Sequence, residues 1–370
     1  GPRCSTFTCA EPRVCGRPPP MTDILIRGAG LLGTSLGLAL SQTGARTHLE
    51  DLDPSVVATA VAMGAGSAQP CAAPDVVFVA VPPDQIADEV AEALKAYPEA
   101  TVSDVSSVKA EPIDALLARG VDLSRYVGGH PMAGREVSGA AAGRGDLFED
   151  RPWILTPISA TQPHRLEQIT ALAEGLRAVV RLMDPDEHDR AVALCSHAPQ
   201  VVASLLAAQL LGASAADVSV AGPGVRDTTR IAASDPRLWA QILLANADHV
   251  AVYLKRFGQD VATFQQALTT RDEAGVRELL GRGVEGRGRL PGKHGGEAAD
   301  FATVSVVIED APGQLAALFV RAGEADVNLE DVRIEHTLGR LRAIAHLVVR
   351  PESEQRLRDS LLDGGWRLRG

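Results

Sequence analysis

A glycine-rich turn and a carboxylate that follows it could together bind a dinucleotide. The turn, Gly28-Ala29-Gly30-Leu31-Leu32-Gly33, comes after an apolar run and begins a helical pattern. Its glycines allow a tight turn and close approach of the backbone to a pyrophosphate, and the helix N-terminus attracts phosphates. Asp51 lies where a carboxylate would bind both ribose hydroxyls and repel a 2′-phosphate, although Glu50 or Asp53 could take this role. The pattern predicts an NAD site that comprises Gly28, Gly30, Leu31, Leu32, Gly33, Asp51, Val81 and Pro82, and a structural glycine turn is the alternative.

Further polar residues follow two other β-rich runs. Ser106, Ser107 and Lys109 come after the run 101–105, and His130 comes after Gly129. Ligands of open α/β sheets bind outside the carboxyl ends of the strands, so both loops should open onto the nicotinamide. A neutral imidazole can take a hydroxyl proton as hydride leaves, and it titrates near neutral pH. We therefore predict that His130 is a catalytic base, with a hydrogen-bonded structural histidine as the alternative.

Arg226 and Arg230 stand four residues apart, on one face if the segment is helical. A guanidinium matches the geometry of a carboxylate, which predicts an anion clamp for the substrate. Salt bridges with Asp227 or Asp235 are the structural alternative.

The elements that must position these groups are β-rich runs alternating with helical patterns. Such alternation predicts an α/β fold with a doubly wound, mostly parallel sheet over residues 21–183. The predicted strands are 24–27, 47–50, 76–81, 101–105, 126–129, 153–156 and 179–182.

Two further domains are predicted after Met183. Residues 184–280 are rich in Ala and Leu at helical spacing, which indicates an all-α domain and a dimer interface. The Gly-rich, charged segment 281–300 predicts a flexible linker. The β-α-β-β-α order in 301–370 predicts a small α+β, ferredoxin-like domain.

Composition limits the possible partners and compartment. The formal net charge of −11 argues against nucleic-acid and anionic-membrane binding. Cys4, Cys9 and Cys15 lie in the first twenty residues, which leaves Cys71 and Cys195 for the body of the protein and fits a reducing cytoplasm. We interpret 1–20 as a disordered extension without a signal peptide, and we expect no stretch that approaches a membrane span.

Taken together, several motifs make the chain resemble the prephenate and arogenate dehydrogenase family of tyrosine biosynthesis, over essentially all of 21–370. They are GAGLLG at Gly28, DVSSVK at Asp104, GGHPMAGRE at Gly128, SHAPQ at Ser196 and GVRDTTRIA with SDP from Gly224 to Pro236. The resemblance implies NAD-dependent oxidative decarboxylation of a cyclohexadienyl substrate. Hydride would pass from the hydroxyl-bearing ring carbon to NAD while the ring carboxylate leaves as carbon dioxide.

The resemblance also implies roles for individual residues. His130 would deprotonate the ring hydroxyl, Ser107 would orient His130, Arg230 would bind the side-chain carboxylate, and His197 matches a substrate-binding histidine of the family. Gln200 replaces a second histidine, and Arg135 could supply a compensating charge. These departures leave three substrates open, namely prephenate, arogenate and a 4-amino analogue of secondary metabolism.

The C-terminal segment resembles an ACT domain, which implies an amino-acid effector such as tyrosine or phenylalanine at the interface of paired domains. The matching residues are Asp310, Gly313, Gln314, Leu315 and Asn328. We expect a cytoplasmic homodimer with this domain as a regulator. Two alternatives are a catalytically silent sensor of NAD and amino acids and an enzyme of the hydroxyacid dehydrogenase type.

Overall fold

A computed structural model describes residues 22–134, 137–290, 301–336 and 342–369. The predicted extension 1–20, Arg135 and the linker residues 291–300 therefore lie outside the described residues. The chain divides into two compact units, one up to Arg256 and one from Phe257.

The first unit contains a seven-stranded sheet in the order β2-β1-β3-β4-β5-β6-β7. All neighbouring strands are parallel except β5 and β6, which are antiparallel. The strands are β1 (Asp23–Arg27), β2 (Arg46–Glu50), β3 (Val76–Val79), β4 (Thr101–Asp104), β5 (Tyr126–Pro131), β6 (Pro152–Thr156) and β7 (Val179–Leu182).

Helices cover both faces of this sheet, which confirms the predicted fold class. Alternation along β1 explains the two layers, because Ile24 and Ile26 enter one apolar core while Leu25 enters the other. The first core also receives residues of α1, α2 and α5, and the second receives residues of α3 and α4. The helices are α1 (Leu31–Gln42), α2 (Pro54–Ala62), α3 (Ile86–Ala96), α4 (Ala110–Ala118) and α5 (Pro163–Gly175).

Helices alone follow the sheet in the described residues up to 290. The Asp184 side chain caps the first of them by accepting hydrogen bonds from the amides of Asp186 and Glu187. A π-helical turn, Ala193–His197, joins α6 to α7. The helices are α6 (Pro185–Val192), α7 (Ala198–Gln209), α8 (Ala215–Ser219), α9 (Pro223–Thr229), α10 (Pro236–Ala245), α11 (Ala247–Thr270) and α12 (Glu273–Gly288).

The continuous helical stretch Pro185–Gly212 corrects one expectation. By length and composition it is apolar enough to cross a membrane, with a mean hydropathy of 1.5, whereas the sequence was expected to contain no such stretch. It also carries the buried polar residues His188, Asp189 and His197. Small alanines and scattered leucines raise its mean hydropathy without forming one uninterrupted apolar run.

The second unit contains a four-stranded antiparallel sheet in the order β11-β8-β10-β9. Val304, Val306 and Ile308 pack with Leu318 and Leu357 of two helices in its core. The elements are β8 (Ala302–Glu309), α13 (Gln314–Glu324), β9 (Asp331–His336), β10 (Arg342–Val349), α14 (Pro351–Asp363) and β11 (Arg367–Arg369).

The predicted start of the flexible linker at Gly281 is wrong. Helix α12 continues to Gly288, because the glycines alternate with residues such as Arg282 and Glu285 that favour helix. The Asp272 side chain caps its N-terminus by accepting a hydrogen bond from the Gly275 amide.

Candidate active site

The glycine turn lies between β1 and α1 at the carboxyl edge of the sheet. Gly28 has a φ of +96°, and a Cβ there would lie 2.4 Å from the carbonyl oxygen of Ala80. A Cβ at Gly33 would overlap the carbonyl oxygen of Gly28, whereas one at Gly30 would meet open space. Two of the glycines thus allow close packing, and the third leaves room for a ligand beside the N-terminus of α1. Val81 and Pro82 follow β3 at the same edge.

Asp51 follows β2 and lies against this turn. Its Oδ2 accepts a hydrogen bond from the Ala29 amide at 2.8 Å, and its Oδ1 accepts one from the Asp53 amide at 3.0 Å. A carboxylate has about four acceptor positions, so the half-buried Asp51 retains capacity for ribose hydroxyls. No basic residue occurs between Glu50 and Met63 that could bind a 2′-phosphate. The turn and Asp51 therefore fit NAD.

His130 lies within β5, which corrects the expectation that it follows the strand. It pairs with Ile154 of β6 and is 8% exposed. The residue before it, Gly129, has no room for a side chain, because a Cβ there would lie 2.6 Å from the carbonyl oxygen of Asp104. The glycine therefore allows close packing of β5 on β4.

Lys109 is fully buried and points into the protein, so it does not open onto the nicotinamide as expected. Its ammonium donates to Oδ2 of the equally buried Asp104 and to the Gly129 carbonyl, the latter at 2.6 Å. Asp104 also accepts from the hydroxyl of Tyr126 at 2.8 Å and from the Gly129 amide at 3.1 Å. The buried Lys109–Asp104 pair therefore fixes the backbone of Gly129, the residue that precedes His130.

A chain of buried hydrogen bonds begins at His130. Its Nδ1 lies 2.8 Å from Nε2 of His188, and the His188 Nδ1 lies 2.7 Å from Oδ1 of Asp189. The Asp189 carboxylate also accepts from the amides of Lys109 at 2.9 Å and Ala110 at 2.8 Å. The carboxylate therefore connects α6 to the start of α4 as well as to the histidines.

His197 joins the same chain from the π-helical turn. The Asn246 Nδ2 lies 2.8 Å from the carbonyl oxygen of Asp189 and 3.0 Å from the Nδ1 of His197. All three residues are buried. The Trp239 ring packs edge-on to His197, with the ring centroids 6.1 Å apart.

Both predicted histidines are neutral in this environment. Burial lowers the pKa of His130 well below 6.5, and His188, Lys109 and His197 lower it further. Burial also lowers the pKa of His197 to about 4 against the opposing attraction of Asp189. His130 can therefore accept a proton near neutral pH, and His197 can bind a substrate as a neutral group.

The other predicted substrate residues have varied surroundings. Arg226 lies in α9 and Arg230 begins the 3-10 turn that continues it, so both have helical backbone, and both side chains are exposed. Gln200 is buried in α7, with its Nε2 3.4 Å from the Ser204 hydroxyl. Ser107 is half-buried beyond β4, and the His130 ring nitrogen Nδ1 is 2.8 Å from Nε2 of His188.

The residues of the predicted effector site lie at the two ends of α13. Gly313, with a φ of +89°, precedes the helix, and Gln314 and Leu315 begin it, next to the exposed Asp310. Asn328 follows the other end and donates to Glu330 at 3.3 Å. The eleven-residue helix α13 is roughly 16 Å long, and the two groups lie at its opposite ends.

Sequence reasoning missed His188, Asp189 and Asn246. One available signal was the position of His188, four residues before Val192 on the face of α6 that is buried. A polar residue buried in such a stripe requires a partner, which indicates a network.

Comparisons with known proteins identify one family over residues 36–182 and 184–282. Residues 36–182 match the family model "Prephenate dehydrogenase, nucleotide-binding domain", and residues 184–282 match "Prephenate dehydrogenase, dimerization domain". The chain is 34% identical to "Probable prephenate dehydrogenase NovF" of Streptomyces niveus over 85% of this chain and 90% of that protein. It is 28% identical to prephenate dehydrogenase of Bacillus subtilis over 92% and 95% of the two chains.

A solved structure is also similar. Prephenate dehydrogenase from A. aeolicus, in complex with hydroxyphenyl propionate and NAD+, is 28% identical with a TM-score of 0.66. The match covers 73% of this chain and 99% of that chain.

Proposed function

This chain belongs to the prephenate dehydrogenase family, and from that premise we propose that it converts prephenate to 4-hydroxyphenylpyruvate by NAD-dependent oxidative decarboxylation. The observation that carries the proposal is the neutral, buried His130 at the carboxyl edge of the sheet, beside a turn that fits NAD.

NAD, when bound, accepts the hydride that leaves the hydroxyl-bearing ring carbon. The backbone amides at the N-terminus of α1, next to Gly30, would bind the phosphates of NAD, and the carboxylate of Asp51 would bind its ribose. Val81 and Pro82 would also contact the cofactor. The NAD preference rests on Asp51 and on the lack of a nearby cation.

His130 acts as the base. It takes the proton of the ring hydroxyl as the C–H bond breaks, so that the ring oxygen becomes a carbonyl. The C–C bond to the ring carboxylate then breaks, carbon dioxide leaves, and its electron pair makes the ring aromatic with a phenolate oxygen. His130 returns the proton to this oxygen, which balances the step. Positioned proton transfer of this kind typically contributes ~10²–10⁴-fold.

Arg230, Arg226, His197, Gln200 and Arg135 bind the substrate in this proposal. The guanidinium of Arg230 binds the side-chain carboxylate, because its planar fork matches two oxygens. His197 and Gln200 belong to neighbouring turns of one helical stretch, and both are buried and neutral donors. Ser107 contacts the ring hydroxyl from the half-buried loop beyond β4.

We also propose a soluble, cytoplasmic homodimer. The family match over 184–282 supports dimerisation, and so do large apolar side chains exposed along these helices. They include Leu205, Leu206, Leu211, Val220 and Leu244.

The small domain acts as an ACT-type regulator in this proposal. Asp310, Gly313, Gln314 and Leu315 of one copy face Asn328 of a second copy, since the helix between the two groups keeps them apart in one chain. Tyrosine or phenylalanine would bind at this interface.

The direct test follows NADH formation with prephenate, arogenate and 4-amino-4-deoxyprephenate, with and without tyrosine. We expect turnover of prephenate, and loss of turnover in His130→Asn with unchanged NAD affinity. The exposed His164 offers a matched control, because His164→Asn should keep the parental rate. Absence of NADH with all three compounds, or full activity of His130→Asn, would refute the proposal.

A further inference from the structure

Asp189 reaches the two histidines of the active site through different atoms. Its carboxylate contacts His188, which contacts His130, and its backbone carbonyl contacts Asn246, which contacts His197. We propose that Asp189 is a positioning residue that fixes opposite tautomers of the two histidines, with the proton on Nδ1 of His130 and on Nε2 of His197. This inference rests on the proposed function, in which His130 is the base.

The first branch follows from which atoms can donate. The Asp189 carboxylate accepts hydrogen bonds from two backbone amides, so it is the acceptor for His188, whose Nδ1 must carry a proton. With that proton on Nδ1, His188 can accept at Nε2, and in this proposal the Nδ1 of His130 at 2.8 Å donates to it. The lone pair of His130 is thereby left on Nε2.

The second branch begins at a carbonyl oxygen, which can only accept. The Asn246 side-chain atom 2.8 Å from it must therefore be the amide nitrogen. That nitrogen is also 3.0 Å from the Nδ1 of His197, so this ring nitrogen accepts the second N–H. His197 consequently carries its proton on Nε2 and presents a donor.

The two rings are thus prepared for opposite tasks. A base needs a lone pair at the substrate hydroxyl, and the wrong tautomer of His130 would present an N–H there instead. His197 with a proton on Nε2 can donate to a carboxylate or carbonyl oxygen of the substrate. Because His188, Asp189, His197 and Asn246 are all at most 4% exposed, water does not readily replace these partners.

The test of the first branch compares two replacements of His188. Phenylalanine keeps a ring but offers no acceptor, so His188→Phe should lower kcat by about 10- to 100-fold, part of the ~10²–10⁴-fold effect of a positioned base. Substrate KM and NAD affinity should change less than about twofold. In His188→Gln the amide oxygen can take the place of Nε2 and should restore most of kcat. The matched control is His249→Gln. It removes a partly exposed histidine whose ring contacts Asp186, a residue of α6 like His188, and its kcat should match that of the parent.

The test of the second branch is Asn246→Leu, which should raise substrate KM about 10-fold with a smaller effect on kcat. Long-range ¹H–¹⁵N spectra of the ¹⁵N-histidine-labelled full chain should show protonated Nδ1 for His130 and protonated Nε2 for His197. The spectrum of His188→Gln should keep the His130 tautomer even if His188→Phe fails to fold.

Three results would overturn the inference: parental kcat in His188→Phe, a protonated Nε2 on His130, or a protonated Nδ1 on His197. These results differ from failure of the proposed function, in which His130→Asn itself would remain active. If His130→Asn is inactive while His188→Phe is fully active, His130 is the base but Asp189 does not control it.

Discussion

Acid should destabilise the first unit through its two neutral histidines. Burial lowers the pKa of His197 from 6.5 to about 4, and burial also lowers the pKa of His130 well below 6.5. At pH 5 the unfolded chain therefore binds protons that the folded chain does not bind. The free energy of unfolding thus rises with pH between about 4 and 6.5, and acidification removes stability over the same range.

The magnitude follows from proton linkage. Each histidine changes the free energy of unfolding by about 1.4 kcal/mol per pH unit while only the unfolded state is protonated. His197 alone should remove about 3 kcal/mol between pH 6.5 and pH 4. The lowered pKa of His130 adds to the slope in the same direction.

The assay is urea unfolding at several pH values between 4.5 and 6. Replacement of Trp366 by Phe leaves Trp153 and Trp239, both in the first unit, as fluorescent reporters. His197→Asn and His130→Asn should each reduce the slope. His164→Asn should keep it. A parental slope near zero, or a slope unchanged in both variants, would refute the assignment of buried neutral histidines.

Three other predictions concern single groups. Arg230→Ala should raise substrate KM about 10- to 100-fold, since a hydrogen bond to a charged group contributes about 1.5–3 kcal/mol. The control Arg237→Ala, on α10, should leave KM unchanged. Equal KM values for the two variants would place the carboxylate clamp elsewhere. Asp51→Ala should narrow the ratio of kcat/KM for NAD over NADP, and an unchanged ratio would assign selectivity to another group. Lys109→Met should lower the free energy of unfolding, measured with urea, by about 3–5 kcal/mol, because it leaves the Asp104 carboxylate buried without its cation. The double variant with Asp104→Asn should recover part of this lost stability.

The sequence was sufficient to place the sheet and its ligand edge. Each of the seven predicted strands overlaps an observed one, because the runs are separated by helical patterns with different periodicity. The ends of the strands could not be predicted in the same way. Pairing with antiparallel β6 extends β5 to Pro131 and places His130 inside the strand, and this pairing is a tertiary contact.

Buried polar groups were the other limit. Lys109 was expected at the ligand edge because it follows a predicted strand, but it is buried, which its partner Asp104 makes possible. His188 meets His130 across 58 residues of chain, so spacing gave no indication of this contact. The position of His130 and the spacing of Arg226 and Arg230 already indicated these residues, whereas the family resemblance suggested Ser107 as the partner of the histidine ring.

The π-helical turn Ala193–His197 also contains one of the predicted substrate residues, His197. A π turn contains one residue more than an α-helical turn, and each residue of an α-helix rotates the chain by about 100°. Deleting one residue there would still permit a continuous α-helix of good local stability. The wider π turn takes up nearly all of that rotation, so such a deletion would change the side chains that the turn presents, among them His197, and would leave the direction of the helix beyond it, with Gln200, nearly unchanged.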